Sequence, residues 1–141
     1  VDSAGNTLDF MLSAKRDGKT AARFFHKVLK AQHTQTPRVI NVDKNAAYPV
    51  AMEVLKADET IEKETELRQS KYLNNMIEQD HRHIKRNVKP MMGFKSFNSA
   101  RRTLSGFEAM NIIRKGQVNG IEQGNSVSQA KFIEAIFGTA A

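Results

Sequence analysis

Apolar positions along the chain switch between a period of two and a period near 3.6, and the alternation predicts strands interleaved with helices. Val1 and Asp2 read as the tail of a strand, and Ser3 to Asn6 as a turn, since Gly and Asn tolerate positive φ. Thr7 to Ser13 resumes as a strand, with Leu8, Phe10 and Leu12 facing one side and Asp9 and Met11 the other. The expected unit is a β-hairpin with most of its first strand cut away. Ala22, Phe25, Val28 and Leu29 make the stripe of a helix from Lys19 to about Gln32 that Asp17 can cap. Its histidines, His26 and His33, read as surface residues. Arg38 to Val42 is β-branched and fits a buried strand. A helix from Ala47 to Ala57 follows, with Pro49 in its first turn, where an N–H is not needed.

The acidic segment Asp58 to Glu66 predicts a loop, then a short strand around Thr65 to Arg68. Tyr72 to Lys89 predicts a helix capped by Asn74 or Asn75 and ended before Pro90, because the residue before proline is pushed out of the α region. Ile77, Ile84 and Val88 share its core face. Glu78, His81, Arg82 and Lys85 fall at i, i+3, i+4 and i+7 on a neighbouring face. That spacing fits an acid set before a basic strip for work on a phosphate backbone. It equally fits a solvated face with i,i+4 pairs such as Glu78 with Arg82. Met91 to Phe97 reads as a loop. Asn98 or Ser99 caps a long helix to about Lys115, with Leu104, Phe107, Ala109, Met110 and Ile113 apolar and Gly116 at its end. A polar linker runs to Ser126, and Val127 to Phe137 is a last amphipathic helix. No repeat appears.

The 141 residues suit one domain with a real core, and 40% apolar and 26% charged residues are those of an ordinary soluble domain. No apolar run reaches the length of a membrane span and no signal-peptide pattern is present, so no membrane partner is expected. Cysteine is absent, which excludes disulfides, thiolate nucleophiles and cysteine zinc sites and leaves a cytoplasmic setting as the default. A start at Val1 rather than methionine suggests a fragment whose N-terminus lies upstream.

The net charge of +7 is unevenly spread. Between His81 and Phe107 there is no acid, while Arg82, Lys85, Arg86, Lys89, Lys95, Arg101 and Arg102 all occur. A one-signed patch attracts polyanions and gains from counterion release, which points to nucleic acid; a basic surface that keeps the protein soluble is the alternative. Phe94 and Phe97 beside these cations could stack on unpaired bases or anchor a loop.

Asp43 follows directly on the strand at Arg38 to Val42, where α/β sheets place their chemistry; it could equally cap the next helix. With Glu78 it offers hard oxygen ligands from separate elements, which suit Mg²⁺ or Mn²⁺. Paired ions would serve phosphoryl transfer, for which two carboxylates are too few. His81-Arg82-His83 on a helix diverges at i, i+2, and neither a zinc His-x-x-x-His nor a P-loop occurs. Tyr48 and Tyr72 read as packing residues at element ends rather than recombinase nucleophiles.

The segments VDSAGNTLDFMLSAKRD, VDKNAAYP and YLNNMIEQDHRHIKRNVKPMMGFKSFNSARRTLSGFEAMNIIRKGQV closely resemble the catalytic core of bacterial insertion-sequence transposases of family six, over nearly the whole chain. The resemblance implies DDE chemistry on a ribonuclease-H-like fold, a mixed sheet flanked by helices. The family's second acid falls on Asp43 and its glutamate on Glu78, as metal ligands. Its basic residue seven positions on falls on Lys85, with Arg82, Arg86, Lys89, Arg101 and Arg102 as further DNA-binding residues. It also implies a site for two Mg²⁺ or Mn²⁺ ions, element-end and target DNA as partners, a homo-oligomer, and a bacterial, nucleoid-associated location. Asp2 and Asp9 match the hairpin after the family's first aspartate, not that aspartate, so the first, central strand and one ligand are expected to be missing here. Residues 1–117 would form this partial core and 118–141 a linker and C-terminal helix, the extra helical part. Three readings follow: a DDE transposase core that nicks and joins DNA, a catalytically incomplete DNA-binding or oligomerisation remnant, or another ribonuclease-H-like nuclease.

Overall fold

The computed structural model describes residues 1–31, 34–70, 75–91 and 93–138, without the side chains of 75–77 and 80. The elements run α1 (Gly18–Leu29), β1 (Val39–Val42), α2 (Ala47–Ala57), β2 (Glu66–Gln69), α3 (Asn75–Val88), a short 3-10 turn (Lys89–Met91), α4 (Phe97–Arg114) and α5 (Ser126–Phe137). The protein is a mixed α/β chain with a small parallel sheet. Its described residues fall into two compact units: Leu8–His83 with Val1, and Ile84–Ala141 with Asp2–Thr7.

In the first unit β1 and β2 pair in parallel, Val39 opposite Glu66 through Val42 opposite Gln69. A parallel pair needs a crossover, and α2 supplies it. Ile40 and Val42 point into a core completed by Ala22, Phe25, Ala51, Met52, Leu55 and Ile61. Phe25 meets the ring of Tyr48 edge-on with centroids 6.2 Å apart, so α1 packs on α2. Asp17 caps α1 by accepting from the Thr20 N–H at 2.8 Å, as its side chain predicts. The short strand expected around Thr65 begins one residue later, at Glu66–Gln69, because the Thr65 N–H is taken by the Glu62 carbonyl in a turn at 3.0 Å and pairing starts with the Glu66 N–H on the Arg38 carbonyl.

The strand expected over Thr7 to Ser13 does not form. A strand exists only through a partner, and a lone hairpin is marginal in water. Here side chains take the backbone groups instead. Gln117 accepts from the Thr7 N–H and donates to the Thr7 carbonyl, both at 3.0 Å. Asp9 accepts from the Phe10 N–H and pairs with Lys27 at 2.8 Å. The preceding turn does form, closed by Gly5 N–H to the Asp2 carbonyl.

His26 is not a simple surface residue. Its Nε2 lies 2.9 Å from Asp58 and its Nδ1 3.0 Å from the Thr60 hydroxyl, which in turn donates to Asp58 at 2.6 Å. This ring ties α1 to the end of α2. His33 lies outside the described residues, as do Tyr72 and Asn74. That end of α2 is a left-handed Schellman turn: Thr60 N–H reaches the Leu55 carbonyl at 2.9 Å, and Glu59 sits at φ 57°. A side chain there costs about 1 kcal/mol or more that glycine avoids. Glu59→Gly is therefore expected to raise the thermal midpoint by a few degrees; an unchanged or lower midpoint in a calorimetric scan contradicts this.

The Thr60 hydroxyl holds the Asp58 carboxyl below its ordinary value, helped by the Thr60 N–H, His26 and Lys30 and opposed by desolvation. The folded state then binds fewer protons at this group than the unfolded chain. Its contribution is present above the unfolded pKa, about 3.9, and is lost as pH falls through the folded value. Asp58→Asn should flatten the acid limb of a stability-against-pH curve; an acid limb identical to wild type contradicts the assignment.

In the second unit Ser96, not Asn98 or Ser99, caps α4 by accepting from the Ser99 N–H at 3.2 Å. Phe97 thereby joins the helix. The buried positions are Ala100, Glu108, Asn111 and Ile113, whereas Met110 and Ala109 are exposed, so the apolar stripe expected from the sequence is rotated. α4 ends at Gly116 as expected, in a Schellman turn with Gln117 N–H on the Ile112 carbonyl at 3.1 Å. Asn125 caps α5 through the Ser128 N–H.

Candidate functional site

The carboxyl end of the parallel pair is where open α/β sheets bind their ligands. Asp43 lies there, exposed, one residue beyond Val42. It does not cap α2. Its Oδ1 accepts from the Asn45 N–H at 2.9 Å, and Asn45 Oδ1 accepts from the Ala47 N–H at 2.9 Å. Two nested Asx turns thus carry the chain from β1 into α2, whose N-cap, Ala46, has no side chain to offer. β2 ends alongside. Ser70 N–H reaches the Val42 carbonyl at 3.1 Å, and the Gln69 side-chain amide donates to the carbonyls of Asp43 at 3.4 Å and Asn45 at 3.2 Å. Burial, then the Asp43 charge, raises the Tyr48 phenol above its ordinary value, with Arg16 opposing; the ring itself is half-buried.

Glu78 is exposed in the first turn of α3, the element that follows β2. An acid in a first turn complements the helix dipole. Among the described residues Glu78 makes no ion pair with Arg82, so the i,i+4 pairing that the spacing allows is not made. The core position Ile77 lies outside the described side chains. Among the described residues no three His, Cys, Asp or Glu side chains gather as a metal-holding group. Asp43 and Glu78 are hard, exposed oxygen donors, and that donor chemistry fits Mg²⁺ or Mn²⁺ as part of a larger ligand set.

Arg82, Lys85, Arg86 and Lys89 are all exposed on or just after α3, and Arg101 and Arg102 are exposed on α4. Within the second unit Ile84, Lys85, Val88, Lys89 and Leu104 line a shallow open groove, apolar in its floor with two lysines at its edge. Phe94 is half-buried and Phe97 is 47% exposed. No helix among the described residues is long and apolar enough to cross a membrane.

A family model described as a DDE domain matches residues 1–117. The transposase for insertion sequence-like element IS431mec of Staphylococcus aureus is 38% identical over 116 residues, which is 82% of this chain and 49% of that protein. The transposase for insertion sequence element IS257 in transposon Tn4003, also from Staphylococcus aureus, matches with the same identity and coverage. An uncharacterized protein, pYV0051, of Yersinia pseudotuberculosis is 38% identical over 53 residues, 37% of this chain and 50% of that protein. No solved structure matches. The chain belongs to the DDE-domain family of insertion-sequence transposases. It spans about half the length of the transposases it matches.

Gln69 and the His26–Asp58–Thr60 ring carry no signal in the linear sequence. Gln69 could be found only by setting the two strands in parallel register, which brings it level with the residue before Asp43.

Proposed function

We propose that this chain is the catalytic core of a DDE transposase that nicks the ends of its element and joins them to target DNA. The observation that carries this reading is Asp43 at the carboxyl end of β1 in a chain matched as a DDE domain over residues 1–117. Asp43 and Glu78 are assigned as ligands of the divalent-ion site. Bound there, paired Mg²⁺ or Mn²⁺ ions would activate the attacking oxygen and stabilise the leaving one. Neither Asp2 nor Asp9 is assigned as the first acid of the triad, and β1 and β2 are taken as two strands of a ribonuclease-H-like sheet. Residues 1–117 are taken as the core and 118–141 as linker and C-terminal helix.

In the first step a water oxygen attacks a phosphorus at the element end, and the bond to the departing 3′ oxygen breaks, leaving a free 3′-OH. That hydroxyl then attacks a target phosphodiester and displaces a target 3′-OH. Neither step needs a covalent link to protein, so the lack of cysteine is no obstacle. Lys85 holds phosphate near the reacting end, with Arg82 and Arg86 beside it on α3; Lys89, Arg101 and Arg102 attract the flanking backbone. Bringing two DNA ends together calls for a homo-oligomer. The proposed setting is the bacterial cytoplasm at the nucleoid.

The competing reading is a basic DNA-binding or oligomerising remnant, favoured by the absence of a three-acid group among the described residues. Both readings expect salt-dependent DNA binding, with log K falling about 0.9 per neutralised phosphate for each unit of log salt. They part on chemistry. Mn²⁺-dependent nicking by this chain itself, lost in Asp43→Asn with DNA binding kept, rules out the remnant. Binding with no metal-dependent nicking supports the remnant.

A further inference from the structure

The amide of Gln69 is placed as a bridge. Register sets Gln69 opposite Val42, and the ladder bond from Ser70 N–H to the Val42 carbonyl is made by the main chain alone. The side chain is therefore not needed to pair the strands. It is exposed, so it adds little to the core. Its Nε2 instead donates to two carbonyls, those of Asp43 and Asn45, which bracket the Asx turn in which Asp43 Oδ1 holds the Asn45 N–H. Rotation of that turn would swing the Asp43 carboxylate, and Gln69 clamps it from the neighbouring strand. Gln69 also closes β2, the strand from which the chain proceeds to α3 and Glu78. The loop carrying one acid is thus tied to the end of the strand that leads to the other.

We propose that Gln69 is a positioning residue: its side-chain amide fixes the Asp43–Asn45 turn and so aims the Asp43 carboxylate at a divalent cation. This rests on the reading of Asp43 as a metal ligand. Groups that orient a ligand typically change metal affinity by about 10–100-fold when lost. A purely structural role would instead cost only the ordinary value of a hydrogen bond and leave cation affinity untouched.

The test is a Mn²⁺ titration of the isotope-labelled chain, following paramagnetic broadening of the Asn45 amide by NMR, alongside thermal melting. Gln69→Met keeps the length of the side chain and removes its donors; Gln69→Ala serves if that variant does not fold. Wild type is expected to broaden at Asn45. The folded Gln69 variant is expected to need about tenfold or more Mn²⁺ for the same broadening, at a temperature well below its melting transition. Asp43→Asn is expected to abolish the effect. A Gln69 variant with the wild-type midpoint overturns the proposal while leaving Asp43 in place. A midpoint that moves only where the variant begins to melt overturns it too. Wild type without broadening at Asn45, or broadening that survives Asp43→Asn, overturns the reading of Asp43 itself and the proposal with it.

Discussion

Glu78→Gln in the intact transposase is expected to abolish Mg²⁺-dependent strand transfer while leaving DNA binding nearly unchanged. The amide keeps the size and polarity of the side chain but removes the negative charge that a hard cation needs. Much of the rate enhancement in phosphoryl transfer comes from stabilising the charge that develops on the reacting oxygens, so losing a ligand should cost at least about 10²–10³ in rate. Folding should not suffer. Glu78 is exposed, and among the described residues it makes no ion pair that the substitution would break. DNA binding should persist because Lys85, Arg86, Arg101 and Arg102 are untouched, and affinity for a polyanion comes mainly from such cations. The check is a strand-transfer assay on element-end DNA, paired with a filter-binding or anisotropy measurement. Near-normal joining by the variant would remove Glu78 from the site.

The second large effect is on stability. Gly116→Ala is expected to destabilise the unit formed by Ile84–Ala141 with Asp2–Thr7 by about 2–5 kcal/mol, a large part of a typical domain's total. Gly116 sits at φ 70° in the turn that ends α4. A Cβ there would lie 2.5 Å from the Gln123 backbone nitrogen, a rigid group rather than the tip of a flexible side chain. The added methyl meets both the left-handed penalty and a backbone clash. Relief would require moving the 117–125 connection, and with it Gln117, whose side chain holds Thr7 through two bonds. Hydrogen exchange resolved by residue should show faster opening at Ile112, Ile113 and Gln117. Wild-type protection at those amides would mean that the turn yields without cost.

The contrast between Gly116 and the Thr7–Ser13 stretch shows what is legible in a sequence and what is not. Gly116, the Asp17 cap and the run Val39–Val42 are legible because each is decided within one or two turns of chain. The fate of Thr7–Ser13 is not, because an alternating pattern states only which face would be buried if a partner strand were present. Ser96, Asn98 and Ser99 are all good caps. Ser96 is the one used, and the local chemistry of the three does not distinguish them. The stripe of α4 is rotated from its expected place for a related reason: Glu108 and Asn111 are buried polar residues, and no periodicity of apolar residues announces them. At the site, the position of Asp43 after a β-branched strand is readable. The Asx turn that holds it and the Gln69 amide that clamps it depend on register between strands distant in sequence.

The most direct test of the central claim, that Asp43 and Glu78 share one divalent-ion site, is a crystal structure of the intact transposase grown with Mn²⁺. The expected result is an ion bound by both acids or a close pair of ions with one acid on each. The carboxylates would then lie within roughly 4–5 Å when they share an ion at about 2.0–2.1 Å per bond, and under about 8 Å when they hold neighbouring ions. Carboxylates well beyond that separation, or Mn²⁺ bound without either acid, would contradict the claim.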